Sequence, residues 1–171
     1  RVPIDQRPKA VDQRQRIGDW EGDTIVGKGR SGYVLTNVER KSRYLVARRI
    51  DRPTAEAVGD ALYHAMRRLS REHRQTQTFD NGREFSGHER IAERLGLAVY
   101  FAHPYSSWER GTNENSSGLL RQYLPKARRF DALADHDLAS YVWQLNNRPR
   151  KCLNYRTPAE VFHQRPVALR M

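Results

Sequence analysis

Three carboxylates in this chain are spaced so that a fold could bring them together. They are Asp23 in Trp20-Glu21-Gly22-Asp23-Thr24, Asp80 in Thr78-Phe79-Asp80-Asn81-Gly82, and Glu114 in Gly111-Thr112-Asn113-Glu114-Asn115. Asp80 closes a short strand-like stretch and opens an Asp-Asn-Gly turn, where Gly82, and less freely Asn81, is expected to supply a positive φ. A strand ending there would hold Asp80 at its carboxyl end, where open α/β sheets place their ligands. Carboxylate oxygens suit Mg²⁺, which takes oxygen ligands at about 2 Å and keeps several waters. Two such ions roughly 4 Å apart can stabilise both the attacking and the leaving oxygen of a displacement at phosphorus. Three carboxylates suffice for two ions if one of them bridges. The chemistry open to the set is therefore metal-assisted cleavage or transfer of a phosphodiester. A single aspartate in a turn would be read only as a turn former; the three together support more.

The elements that must position these acids can be read in order. Ile17 to Val26 reads as a first strand on which Asp19, Glu21 and Asp23 alternate and share one face. Gly27 to Gly32 is a hairpin loop, and Tyr33 to Val38 and Tyr44 to Ile50 are two more strands, rich in aromatic and β-branched residues. Thr54 is expected to cap a helix whose apolar face is Val58, Leu62, Ala65, Met66 and Leu69, ending near His73. Gln75 to Phe79 then delivers Asp80 on a strand parallel to the first, because a helix intervenes. His88 to Leu95 reads as a short helix stopped by Gly96, and Leu97 to Phe101 as a fifth strand. A loop from His103 to Arg110 leads into a helix from about Gly111 to Leu124, with Leu119, Leu120, Tyr123 and Leu124 buried. Leu138, Tyr141, Val142 and Leu145 mark another amphipathic helix. Thr157-Pro158-Ala159-Glu160 is a capping box opening a last short one. The expected fold class is α/β, a mixed five-stranded sheet with three antiparallel strands, then two parallel ones, flanked by helices. The interval between Asp80 and Glu114 holds one helix, one strand and one loop, enough to return Glu114 beside Asp80.

The chain has 171 residues, enough for one domain with a full core. Lys and Arg number 31 against 20 Asp and Glu, a net charge of +11. That excess points to a polyanionic partner, most simply nucleic acid. Cys152 is the single cysteine, so neither an intrachain disulfide nor a cysteine-based zinc site can form, which fits a reducing cytoplasm. The apolar runs are short, Leu97 to Ala102 among the longest, so no membrane partner is expected. Residues 1–16 are polar and basic, and read as a linker or arm entering the domain. Arg1 in place of an initiating methionine is expected of a piece of a longer protein.

The residues also carry a resemblance. Trp20-x-x-Asp23, Asp80-Asn81-Gly82-x-x-Phe85 and Gly111-x-x-Glu114 resemble the three blocks of the DDE transposase and retroviral-integrase superfamily. Glu39-Arg40-Lys41-Ser42-Arg43, the run Tyr105 to Asn115, Gly118 to Tyr123 and Asn147-Arg148-Pro149-Arg150-Lys151 are similar to the bacterial insertion-sequence-thirty family of transposases. The resemblance covers about Gly18 to Phe162, and Ser116-Ser117 and Ala127 depart slightly from its pattern. It implies a ribonuclease-H-like fold, with residues 17–165 as an integrase-type catalytic core and 166–171 as a tail. It implies a missing N-terminal DNA-binding region upstream of the arm. It makes Asp23, Asp80 and Glu114 the catalytic metal ligands for Mg²⁺ or Mn²⁺, two ions per active site. The activity implied is DNA cleavage at transposon ends, freeing a 3′-hydroxyl, then strand transfer of that end into target DNA. The partners implied are those DNAs and a homo-oligomer assembled on them, in a bacterial cytoplasm.

Other residues keep two readings each. Asp19 and Glu21 share the face of Asp23 and could replace it; Asp23 is preferred because it matches the family block. Glu84 reads as a surface or supporting acid. His73, His88 and His103 read as polar residues, since Mg²⁺ favours oxygen. Arg110 and Arg121 either hold phosphates or balance the charge of Glu114. Trp108 either stacks on an unpaired base or anchors its loop. Lys126, Arg128, Arg129, Arg148, Arg150 and Lys151 are candidate phosphate contacts that position DNA without reading sequence, or solvated charges. Two alternative functions stay open: a ribonuclease-H-like nuclease without strand transfer, and a non-catalytic nucleic-acid-binding module.

Overall fold

The structure, a computed structural model, describes residues 1–164. The tail expected at residues 166–171 lies outside them. Five strands, β1 (Asp19–Val26), β2 (Tyr33–Glu39), β3 (Leu45–Ile50), β4 (Thr76–Phe79) and β5 (Ala98–Phe101), form one sheet in the order β3-β2-β1-β4-β5. The first three pair antiparallel, and β4 and β5 run parallel to β1. The expected mixed sheet is present. Its helices are α1 (Lys9–Asp12), α2 (Ala55–Met66), α3 (His88–Leu95), α4 (Gly111–Leu120), α5 (Asp135–Asn146) and α6 (Pro158–Phe162).

The period-2 alternation of the strands sends side chains into two cores, one on each face of the sheet. Trp20, Leu35, Ile50 and Phe79 pack with Val58, Leu62 and Met66 of α2, Ile91 and Leu95 of α3, and Phe162 of α6. Ile25, Val34, Val38 and Leu45 pack on the other face with Leu120 and Leu124, and with Leu138 and Leu145 of α5. Gly22 lies on the α2 face, where a Cβ would stand 2.6 Å from the Phe79 ring. Asp19, Glu21 and Asp23 therefore all face α4.

Local signals set most helix ends. The Thr54 hydroxyl accepts the Ala57 N–H at 3.1 Å, Gly96 ends α3 with φ 62°, and both arms of the Thr157 capping box are made. Two helices stop earlier than their periodicity suggests. α2 ends at Met66, not near His73, because the chain must turn back beside β1. There the Trp20 indole donates to the His73 carbonyl at 2.8 Å, and the Gln75 and Thr76 N–H groups donate to the Gly18 carbonyl. α4 ends at Leu120, and a succession of turns carries Leu124 into the core before Pro125.

Residues 1–16 are fastened to the core. Phe101 donates its N–H to the Val2 carbonyl at 2.9 Å, and Pro3 forms a parallel bridge to Phe101 beyond β5. Val11 is fully buried, Arg7 donates to the Thr78 hydroxyl, and Arg14 reaches the Thr112 hydroxyl of α4. Arg1 donates to the Asn81 carbonyl at 2.9 Å, so the arm touches the turn that carries Asp80.

Candidate active site

Asp19, Glu21 and Asp23 look alike on the strand, but the fold gives them different work. Asp19 is buried, receives the Arg16 guanidinium at 2.9 and 3.1 Å, and accepts the Thr76 hydroxyl at 2.8 Å. Glu21 is buried and ion-paired with Arg40, and its other carboxylate oxygen accepts the Asn113 N–H at 2.8 Å. The Asn113 amide nitrogen donates back to the Glu21 carbonyl at 2.8 Å. Both acids are saturated by partners inside the protein, which leaves Asp23 as the one of the three that opens towards solvent. Its side chain retains 31% exposure.

Asp80 follows β4 directly and its Oδ1 accepts the Gly82 N–H at 2.8 Å, while Asn81 donates to the Ala102 carbonyl at 2.6 Å. The expected positive φ is not used. Gly82 has φ −52°, and Asn81 is not among the positive-φ residues. A Cβ there would lie 2.4 Å from Glu84 Oε2 and 2.9 Å from Asp80 Oδ1, so these two side-chain ends would have to shift to admit one. Glu84 belongs to the surroundings of the site, accepting the hydroxyl of Thr24 at 3.2 Å.

Asp23 and Asp80, from neighbouring parallel strands, converge on one cation. Arg110 places Nη1 3.1 Å from Asp23 Oδ2 and Nη2 3.3 Å from Asp80 Oδ2. Burial pushes the Asp23 carboxyl above its usual range; the Arg110 guanidinium and the Thr24 N–H oppose that rise and the Asp80 charge adds to it. Sequence spacing offered Arg110 as a phosphate contact or a counter-ion for Glu114, and the structure instead sets it between the two aspartates.

Glu114 lies one helical turn beyond Arg110, exposed on α4 and without a hydrogen bond or ion pair among the described residues. Its neighbour Asn113 fixes that turn. It is fully buried, held to Glu21 by two bonds, and its Oδ1 accepts the Ser117 hydroxyl at 3.0 Å. The roles of Asn113 and Arg40 were not read from the sequence. The only signal available was that both stand inside the blocks Glu39 to Arg43 and Tyr105 to Asn115. Among the described residues, no group of three His, Cys, Asp or Glu side chains is close enough to hold a metal. The structure thus brings Asp23 and Asp80 together and leaves Glu114 outside the pair.

The donor set of that pair fits a divalent ion. Two carboxylates on neighbouring strands face one point, where a single guanidinium balances only one of their two charges, and their oxygens are donors of the kind Mg²⁺ and Mn²⁺ select. Beside it opens a cleft of about 510 Å³, lined by Asp80, Gly82, His103, Tyr105, Ser107 and Arg110. A larger cavity of about 660 Å³, between β3 and α5, contains none of these acids.

The remaining basic candidates are mostly engaged within the protein. Arg121 donates to the Val26 and Leu124 carbonyls, Arg128 to the Tyr123 carbonyl and the Tyr141 hydroxyl, and Arg129 forks onto Asp131. Arg148 donates to Gln122 and to the Tyr123 hydroxyl, and Arg150 to the Leu145 carbonyl. Trp108 is 73% exposed, so it does not anchor its loop in a core, and Lys126 and Lys151 are exposed.

The chain has known relatives. The transposase for insertion sequence element IS4351 of Bacteroides fragilis is 43% identical over 164 residues, 96% of this chain and 50% of that protein. The transposase InsI for insertion sequence element IS30C of Escherichia coli K12 is 41% identical over 168 residues, 98% of this chain and 43% of that protein. The chain thus spans about half the length of the curated relatives it matches. Among solved structures, the catalytic core domain of BIV integrase superposes with a TM-score of 0.66 at 23% identity, covering 85% of this chain and 93% of that one. A chain of the simian T-cell lymphotropic virus intasome, solved in complex with PP2A regulatory subunit B56 gamma, gives 0.70 at 21% identity, covering 90% and 56%. These superpositions identify the fold as ribonuclease-H-like. The family model for the integrase core domain matches residues 13–107, a span that holds Asp23 and Asp80 on their adjoining strands, and the chain belongs to the integrase core domain family.

Proposed function

We propose that this chain is the catalytic core of a DNA transposase that cuts at transposon ends and joins the freed 3′-hydroxyl to target DNA. The observation that carries the reading is the convergence of Asp23 and Asp80 on one cation at the start of the helix that bears Glu114. The transposase relatives, at about 40% identity over nearly the whole chain, support it. In this reading Asp23, Asp80 and Glu114 hold two divalent ions, Mg²⁺ or Mn²⁺. Such ions supply the charge that stabilises the attacking and leaving oxygens of phosphoryl transfer.

The protein's own residues do the rest. β1 and β4 fix Asp23 and Asp80, and the Glu21–Asn113 clamp fixes the turn that presents Glu114. No side-chain nucleophile is needed, because water and then the 3′-hydroxyl attack. Trp108 offers a face for an unpaired base, and Lys126 and Lys151 offer cations to phosphates. Arg121, Arg128, Arg129, Arg148 and Arg150 contribute to the basic surface while bracing the fold. Residues 1–16 serve as the connection to an upstream DNA-binding region, and 17–165 as the core. The protein works as a homo-oligomer on DNA in the bacterial cytoplasm; among the described residues no helix is long and apolar enough to cross a membrane.

The test is cleavage by full-length protein. Asp80→Asn and Glu114→Gln each remove a charged ligand with little change of volume, and should abolish Mg²⁺-dependent cleavage while DNA binding persists. Near-normal cleavage by either variant overturns the assignment. Joining of a labelled 3′-hydroxyl end to a second duplex separates a transposase from a nuclease.

A further inference from the structure

Arg110 is held in an unusual way. Its side chain is only 11% exposed and touches three acceptors: Asp23 at 3.1 Å, Asp80 at 3.3 Å and the Gly22 carbonyl at 3.4 Å. All three lie beyond the roughly 2.7–2.9 Å of well-made charge-assisted bonds. The Arg16–Asp19 pair shows the tighter fit this sheet can make, at 2.9 Å. The guanidinium of Arg110 also leaves its Nε–H buried without a partner. A guanidinium has five donors in a rigid fork, and a site shaped for it would satisfy them. This one offers two converging carboxylates and little else.

We propose that Arg110 is a built-in counter-cation, holding Asp23 and Asp80 together until a divalent ion displaces it from between them. Without it, two carboxylates on neighbouring strands would repel and drive each other's protonation. With it, one of the two charges is balanced and both side chains are held towards one point. A small divalent cation has twice the charge and prefers all-oxygen ligands, so it suits the same two groups better than a loosely bonded fork. The adjoining cleft, which Arg110 itself lines, gives the displaced side chain somewhere to turn. Arg110 ends a short 3₁₀ turn, Ser107–Arg110, and precedes α4 with φ −121° and ψ 34°, outside the helix that positions Glu114. Asp80→Asn would relieve repulsion between the two acids but would also remove one of the two ion-pair partners of Arg110.

The inference rests on the reading of Asp23 and Asp80 as metal ligands, and calorimetric titration with Mn²⁺ tests the two separately. Parent protein should bind with an affinity reduced by competition from Arg110. Arg110→Gln should bind Mn²⁺ about tenfold more tightly or better, with a lower melting temperature before metal and a larger rise on saturation. Arg110→Lys, which keeps the charge but cannot fork onto both acids, should fall between them. Equal or weaker binding by Arg110→Gln, with Asp80→Asn still abolishing binding, would overturn the exchange and leave the metal site standing. Unchanged binding in Asp80→Asn would remove the metal-site reading and the inference with it. A measurement on the parent covers the case in which Arg110→Gln does not fold. The Arg110 Nε–H, followed by ¹⁵N NMR, should be protected from solvent exchange without metal and lose that protection as Mg²⁺ is added. Protection that persists at saturating Mg²⁺ would refute the displacement.

Discussion

Asn113 offers the sharpest test of how the site is held. It is fully buried, its amide nitrogen donates to the Glu21 carbonyl at 2.8 Å, and its Oδ1 accepts the Ser117 and Thr36 hydroxyls at 3.0 and 3.4 Å. Asn113→Ala removes all three bonds. Ser117 is half-buried and can rotate towards other acceptors, and Thr36 also reaches the Asp23 carbonyl at 3.3 Å. The Glu21 carbonyl keeps its sheet partner, because Glu21 pairs with Val38 of β2 in the same register as the bond from the Arg40 N–H to the Asp19 carbonyl. The loss is that of a buried hydrogen bond, about 0.5–1.5 kcal/mol, with about 1 kcal/mol for the small void, roughly 1.5–2.5 kcal/mol in all. At about 2–4 °C per kcal/mol for a domain of this size, the melting temperature should fall by about 3–10 °C.

Asn113→Asp should be worse at neutral pH, although it is closer in shape. It turns the donor that served the Glu21 carbonyl into an acceptor, and places a carboxylate beside the buried Glu21 side chain. Its folded pKa would therefore be raised, so the folded state would hold a proton that the unfolded chain has released. Stability then falls as pH rises above the unfolded value of about 3.9, and the two variants should converge near or below it. Urea unfolding of parent and both variants at pH 4 and 7 measures this. A loss below about 1 kcal/mol for Asn113→Ala, or an Asn113→Asp variant as stable as Asn113→Ala at pH 7, would show that the clamp is not what fixes this turn.

Three further outcomes are expected. Glu114→Gln should leave stability within about 0.5 kcal/mol of the parent by thermal unfolding, because Glu114 is exposed and bonded to nothing among the described residues; a larger loss would point to a structural role. Gly22→Ala should cost about 1–3 kcal/mol in urea unfolding, since its Cβ would meet the Phe79 ring at 2.6 Å and Gln77 Nε2 at 2.8 Å; a neutral result would mean that β1 and β4 can separate freely. His103 bridges Glu109 and Asp5 of the arm, each at 2.9 Å, and its pKa is raised first by the Glu109 hydrogen bond and then by the Asp5 and Glu109 charges. Its contribution to stability should be complete below its ordinary value of 6.5 and disappear as pH rises through the raised folded value, so melting curves of parent and His103→Gln should converge in alkali; parallel curves would exclude the bridge.

The sequence by itself determined the sheet and the face on which the acids lie. Alternation in β1 put Asp19, Glu21 and Asp23 on one side, because successive side chains of a strand must point to opposite faces. The helical stretch that became α2, lying between β3 and β4, required β4 to run parallel to β1, because a crossover returns the chain in the same direction. The Asp-Asn-Gly turn then put Asp80 at the end of that strand. Thr54, Gly96 and the Thr157 capping box marked their helix ends, since capping satisfies backbone groups within a few residues. All of these signals are local, and local backbone geometry decides them.

Tertiary structure decided which acids are free. Asp19 and Glu21 are spent on Arg16, Thr76, Arg40 and Asn113, and three of those four partners come from other elements. The same holds for Arg110, whose helical spacing pointed to Glu114 but whose guanidinium lies between Asp23 and Asp80. α2 ends at Met66 because Trp20 and Gly18 capture the backbone that follows. Periodicity tells a side chain which way to face, but its charge is satisfied by whatever the fold brings within about 3 Å. That choice is made by residues tens of positions away, and no local pattern records it.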